Sequence, residues 1–161
     1  MRRVLTAAII LLLACLVTRP ALAVEVRRAV DVAAPPDEVW QAVGEFCSIA
    51  DWHPMIASCV REEEGTAELR VLMTEDQKML REELIQHSDE ERSYRYGILD
   101  SPLPVTGYVS TLSVVPADRE GHSVVIWRSR FTAQGVPDTE AAAIIAGIYE
   151  TGLERIRALF E

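Results

Sequence analysis

The sequence has no glycine-rich phosphate loop, no GxSxG nucleophile motif, and no HExxH or HxxxH pairing. Its three histidines, His53, His87 and His122, lie too far apart in the chain to read as a metal site. His87 and His122 read as strand-end or turn residues. His53, held extended by Pro54, reads as structural and bonded to nearby backbone, the alternative being that it reaches the pocket mouth. Neither a metal nor a cofactor is expected. Basic charge is also scarce, with 16 Lys and Arg against 25 Asp and Glu and a formal charge of −9. Such a chain repels phosphate backbones, which excludes nucleic acid as a partner, and no polybasic stretch suggests anionic lipid headgroups. There is no internal repeat, low-complexity tract or interdomain linker.

Only one long apolar run is present, Val4 to Val17, after the basic Met1-Arg2-Arg3 and before Ala21-Leu22-Ala23. It is too short and wrongly flanked for a membrane span and reads as a secretory signal peptide cleaved after Ala23. The alternative is a lipoprotein signal, with Leu12-Leu13-Ala14-Cys15 as an imperfect lipobox and Cys15 acylated. The expectation is therefore a leader at 1–23 and one domain at 24–161, periplasmic or secreted, with no stable membrane insertion after cleavage. Loss of three arginines and no acid takes the formal charge from −9 to −12. Of the three cysteines, Cys47 and Cys59 remain, an even count in an oxidising compartment, and a disulfide between them is predicted.

What is present is a clear order of elements. Val24 to Val32 alternates as a half-buried strand, with Arg28 the one misfit on its apolar side. Pro36 opens a short helix through Val43, and a second helical piece follows at about Phe46 to Asp51. Six strands with turn signals come next, at 55–63, 67–73, 78–87, 92–99, 107–115 and 122–133, as in an antiparallel meander. Asp138 to Glu161 carries an apolar stripe at helical spacing that includes Ile145, Tyr149, Leu153 and Ile156, with Asp138 placed as N-cap. Small residues on that stripe (Ala142, Ala146, Gly152) imply close approach to a neighbour or room left for a ligand. One long amphipathic helix and seven one-faced strands predict an α+β fold, a curved antiparallel sheet of about seven strands around the C-terminal helix.

Element order and several short motifs resemble the helix-grip superfamily called SRPBCC, which includes START domains, the birch pollen allergen and the plant abscisic acid receptors. Within it the chain is most similar to the bacterial polyketide cyclase/dehydrase and lipid transport branch. The resemblance rests on Ala34-Pro35-Pro36-Asp37-Glu38-Val39-Trp40, Phe46 to Ile49, Trp52-His53-Pro54, Cys59, Glu82-Glu83-Leu84 and Tyr94-Arg95-Tyr96. Pro102-Leu103-Pro104-Val105 before Tyr108, and Trp127 with Phe131, complete it. It implies a pocket between sheet and helix. Glu82 matches an acidic pocket position of the hormone receptors, and Tyr108 and Ser110 match their tyrosine and serine. Ala57 stands where the receptors carry the lysine that grips the hormone carboxylate. Ser101-Pro102-Leu103-Pro104 replaces their histidine-containing latch, so abscisic acid is not expected to bind in that manner.

Strand alternation places Glu82, Tyr94, Tyr96, Tyr108, Ser110 and Trp127 on inward faces, and the helix stripe adds Ile145 and Tyr149; these eight are the expected ligand-binding residues. Arg128 and Arg130 must face outward. A carboxyl facing an apolar interior is costly unless protonated, paired or hydrogen-bonded, and Tyr96 or Tyr108 is the expected partner of Glu82. The favoured reading is a carrier for a small hydrophobic molecule. One alternative is a cyclase or dehydratase using Glu82 and a tyrosine. Another is an accessory protein with an exposed apolar patch for a partner enzyme, since exported relatives of this type are associated with periplasmic methanol oxidation.

Overall fold

The computed structural model describes residues 23–161. The leader and its Cys15 alternative lie outside the described residues. Strand β1 (Val24–Val32) leads into helices α1 (Pro36–Val43) and α2 (Ile49–Trp52). The meander follows as β2 (Ile56–Glu64), β3 (Ala67–Thr74), β4 (Met79–Ser88), β5 (Ser93–Asp100), β6 (Val105–Pro116) and β7 (Ser123–Ala133), and α3 (Asp138–Ala158) ends it. The sheet order is β1-β7-β6-β5-β4-β3-β2, every neighbour antiparallel. Each hairpin thus pairs with the next, and β1 returns to close the far edge beside β7. This is the helix-grip arrangement expected from the element order.

The helix explains where the space lies. Ile145, Tyr149, Leu153 and Ile156 of α3 are buried, and α3 packs mainly on β1 and β7. Buried aliphatic side chains of this kind contribute roughly 1.5–3 kcal/mol each. Strand pairing is irregular in β4 and bulged in β6 at Gly107, whose φ of 59° suits glycine, and α3 keeps its contacts to the β1 and β7 side of the sheet. A gap is left between the helix and the middle strands, with α2 and the loop at 101–104 at its end.

Two local readings are corrected, and at Gly152 one of two alternatives is decided. Pro137, extended at φ −60° and ψ 151°, occupies the cap position, so Asp138 is the first helical residue and not the N-cap. Asp138 and Glu140 still place carboxylates in the first turn, where the helix dipole favours them. The second helical piece is shorter and later than expected, Ile49–Trp52, because 45–48 form turns. Gly152 leaves no room for a ligand: a Cβ there would stand 2.6 Å from His53 Cδ2 and 3.0 Å from Trp127 Cζ3. The glycine marks close approach.

Arg28, the misfit of β1, reaches across to the helix, where its Nε meets Glu150 Oε1 at 2.5 Å in a half-exposed pair. Cys47 and Cys59 are joined by a disulfide with Cα atoms 5.6 Å apart, tying the turn before α2 to β2. Closing a loop of this length contributes roughly 3 kcal/mol on the chain-entropy estimate.

Candidate functional site

The gap between α3 and the sheet is a cavity of about 300 Å³. Its walls are Leu72, Leu80, Ile98, Ile145 and Ile148 with the rings of Tyr96, Tyr108, Trp127 and Tyr149. Met55, Ile56 and Ile144 join the loop residues Pro102, Leu103 and Pro104 in lining it. Thr74, Asp76 and Lys78 of the β3–β4 turn also line it. Of the eight residues expected to face a ligand, Glu82, Tyr96, Tyr108, Trp127, Ile145 and Tyr149 line this space. Tyr94 does not: it is buried at the other end, near Trp40, Phe46 and His87. Ser110 does not line it either; it is buried behind the wall, bonded to Tyr149 and Trp127.

Glu82 is paired with a residue that strand alternation left unnoticed. Arg70 on β3 stands directly opposite it, and Arg70 Nε donates to Glu82 Oε2 at 2.6 Å. The expected tyrosine partner is replaced by a guanidinium. Arg70 is fully buried, donates through Nη1 to the Phe46 carbonyl, and lies 4.1 Å from the Phe46 ring centroid and 4.9 Å from that of Tyr96. Burial works to lower its pKa. The Glu82 carboxylate, with Tyr94 and Tyr96, outweighs burial and holds it well above the usual arginine value. The guanidinium therefore stays charged against the Glu82 carboxyl it is bonded to. Glu82 Oε1 has no hydrogen-bond partner among the described residues.

The hydroxyls form a directed chain. Ser110 Oγ donates to the Arg128 carbonyl at 2.9 Å, so it must accept from Tyr149, at 3.0 Å, and from Trp127 Nε1, at 3.1 Å. Tyr149 points its proton at Ser110, and Tyr108 in turn donates to Tyr149. Trp127 Nε1–H is shared with the Tyr96 oxygen at 3.1 Å. Tyr96 accepts there, and its own O–H has no acceptor among the described residues. Trp127 stacks on Tyr149 with centroids 4.4 Å apart, which fixes both rings.

Protonation follows from burial. Tyr96 and Tyr108 are raised well above the ordinary tyrosine value, first by burial and then by neighbouring phenols. Tyr149 is pushed up to about 12 by burial, against its hydrogen bond to Ser110. His53 is buried and lines the cavity; burial lowers its pKa, outweighing its bond to the Ile148 carbonyl. Its Nδ1 accepts from the Met55 N–H at 3.2 Å, so Nε2 carries the hydrogen, donated to Ile148 O at 3.1 Å. His53 is thus held by backbone at both nitrogens, one partner nearby and the other on α3 distant in sequence, and its ring also forms part of the cavity wall. The cavity thus presents phenols that keep their protons, an imidazole held below its ordinary value, the Glu82 carboxyl paired with Arg70, and at the β3–β4 turn the Asp76–Lys78 pair. Among the described residues no three His, Cys, Asp or Glu cluster as a metal site, and no helix is long and apolar enough to cross a membrane.

A family model described as polyketide cyclase / dehydrase and lipid transport matches residues 23–161. Among solved structures, the chain is similar to the protein XoxI from Bacillus cereus, at 35% identity and a TM-score of 0.81 over 85% of this chain and 95% of that one. A Bacillus thuringiensis protein matches at 34% identity and a TM-score of 0.80, covering 84% of this chain and 98% of its own. The Zhui aromatase/cyclase from Streptomyces sp. R1128 shares the fold at 17% identity and a TM-score of 0.69, over 85% and 93% of the two chains. No curated protein sequence matches the chain.

Proposed function

Since this chain belongs to the polyketide cyclase / dehydrase and lipid transport family, we propose that it binds and carries one small, mostly apolar molecule with a hydroxyl at its polar end. The observation that carries this reading is the unpaired edge of the cavity's polar corner. Glu82 Oε1 offers an acceptor and Tyr96 O–H a donor, in a mostly apolar lining whose other charged groups, Asp76 and Lys78, are paired with each other at the β3–β4 turn. A hydroxyl answers both. A carboxylate would meet Glu82 with like charge in a poorly hydrated space and be rejected. The volume, about 300 Å³, sits at the lower end for ligand pockets and corresponds to roughly ten waters. It suits one or two rings and not a diacyl lipid.

Holding is favoured over turnover because the polar groups at the corner are already engaged, His53 through both ring nitrogens and with its pKa lowered by burial. Glu82 is committed to Arg70, and the phenols keep their protons. We further propose that residues 1–23 are a leader removed on export, leaving 24–161 as one domain in an oxidising compartment where the Cys47–Cys59 bridge persists. Two measurements test the function. Native mass spectrometry of the exported protein is expected to find a co-purifying neutral small molecule. Titration with naphthol is expected to quench Trp127 fluorescence, and naphthoate is expected not to. Binding of naphthoate as tight as that of naphthol, or binding of neither, overturns the reading.

A further inference from the structure

The outer face of the sheet carries a row of side chains aligned by strand register. Arg27 on β1 stands opposite Arg128 on β7, Arg128 opposite Thr111 on β6, and Thr111 opposite Arg95 on β5. Arg130, two residues along β7, stands opposite Glu25. All four arginines are exposed, and none forms an ion pair among the described residues, unlike Arg28, Arg61, Arg81 and Arg92. They line an open concavity of about 900 Å³, which Glu25 and Glu91 also touch. Arginines directly opposite each other, as Arg27 and Arg128 are, destabilise a strand pair. In a chain with 25 acidic residues against 16 basic ones, the fold nonetheless supplies this face with no compensating ion pair.

We propose that this arginine face is a docking site for an acidic segment of a partner protein. Exposed ion pairs are individually weak, so a single small anion gains little here. Arg27 and Arg95 are three strand spacings apart, about 14 Å. The occupant must therefore present several carboxylates over that span, as four or five residues of extended chain do. Guanidinium forks match carboxylates in two-point contacts. A continuous phosphate backbone fits poorly, because Glu25 and Glu91 lie in the same groove and the whole chain is acidic. A second copy of the chain would have to bring a different, acidic surface to this face, a head-to-tail contact that builds rings or filaments and shows as self-association. The site is separate from the ligand cavity, on the opposite side of the sheet.

Fluorescence polarisation with a labelled hexaglutamate peptide at low salt tests the proposal. Binding is expected, and Arg128→Glu or Arg95→Glu is expected to weaken it roughly tenfold. Arg128→Gln is expected to lie between, should charge reversal disturb the sheet, with circular dichroism reporting the fold. Arg119→Glu, in the β6–β7 turn outside the groove, is expected to change nothing. Equal binding by the groove variants and the parent overturns the proposal. So does a single-stranded oligonucleotide of equal charge binding as tightly, or self-association of the protein that the same variants abolish.

Discussion

Burying a guanidinium and a carboxylate costs several kcal/mol per ion, recovered only when each meets the other in good geometry. Arg70 and Glu82 meet at 2.6 Å with almost no exposure, and the Phe46 carbonyl and ring take part of the remaining guanidinium. Removing one member leaves the other charged and alone. Arg70→Met is therefore expected to cost about 3–5 kcal/mol, and Arg70→Met with Glu82→Leu distinctly less, because the double change removes both charges. Urea denaturation of the two variants checks this, and equal losses would show the pair uncoupled. The partnership was only half legible in the sequence. Alternation pointed Glu82 inward, but which residue faces it depends on register. Once the β3–β4 turn fixes Met73 opposite Met79, Arg70 falls opposite Glu82. The signal lay in that turn, at Thr74 to Lys78, where the Thr74 hydroxyl bonds the Lys78 backbone.

At the scale of elements, α3 carries two glycines with opposite surroundings. A Cβ at Gly147 meets nothing within 4 Å, whereas at Gly152 it meets the buried rings of His53 and Trp127. Helix propensity alone favours alanine over glycine by about 1 kcal/mol at either place. At Gly147 nothing opposes that gain, so Gly147→Ala is expected to stabilise by roughly 0.5–1 kcal/mol. At Gly152, overpacking costs typically 1–3 kcal/mol, which exceeds the gain. Gly152→Ala is thus expected to lower Tm while Gly147→Ala raises it, and a rise in both would mean that His53 yields easily. The stripe, the strands and their order were readable because periodicity reports burial directly. The meaning of a glycine inside the stripe was not, since close approach and spare volume leave the same mark in sequence. His53 shows the complementary limit, because its ring is pinned by a carbonyl 95 residues away.

For the whole molecule, alkaline pH is a sharp test, because all four tyrosines of the chain, Tyr94, Tyr96, Tyr108 and Tyr149, are buried. Burial raises every one of them above the ordinary value of 10.0, Tyr149 to about 12 and Tyr96 and Tyr108 well above 10.0. The unfolded chain then loses phenolic protons from about pH 10 upward while the folded chain keeps them. Stability that is complete below pH 10 is lost as pH climbs toward the folded values, by up to about 1.4 kcal/mol per pH unit for each tyrosine. Four such groups together remove up to about 5.6 kcal/mol per unit, against a total of about 5–15 kcal/mol for a domain of this kind. Arg70 does not offset this, since its raised value matters only above the ordinary arginine range. Phenolate absorbance of the native protein is therefore expected to stay flat through pH 10 and then rise in one step with the loss of tryptophan fluorescence. In denaturant it should rise gradually around pH 10. A gradual native titration near pH 10 with circular dichroism unchanged would mean that water reaches the phenols freely, and a wet cavity of that kind would not select an apolar ligand.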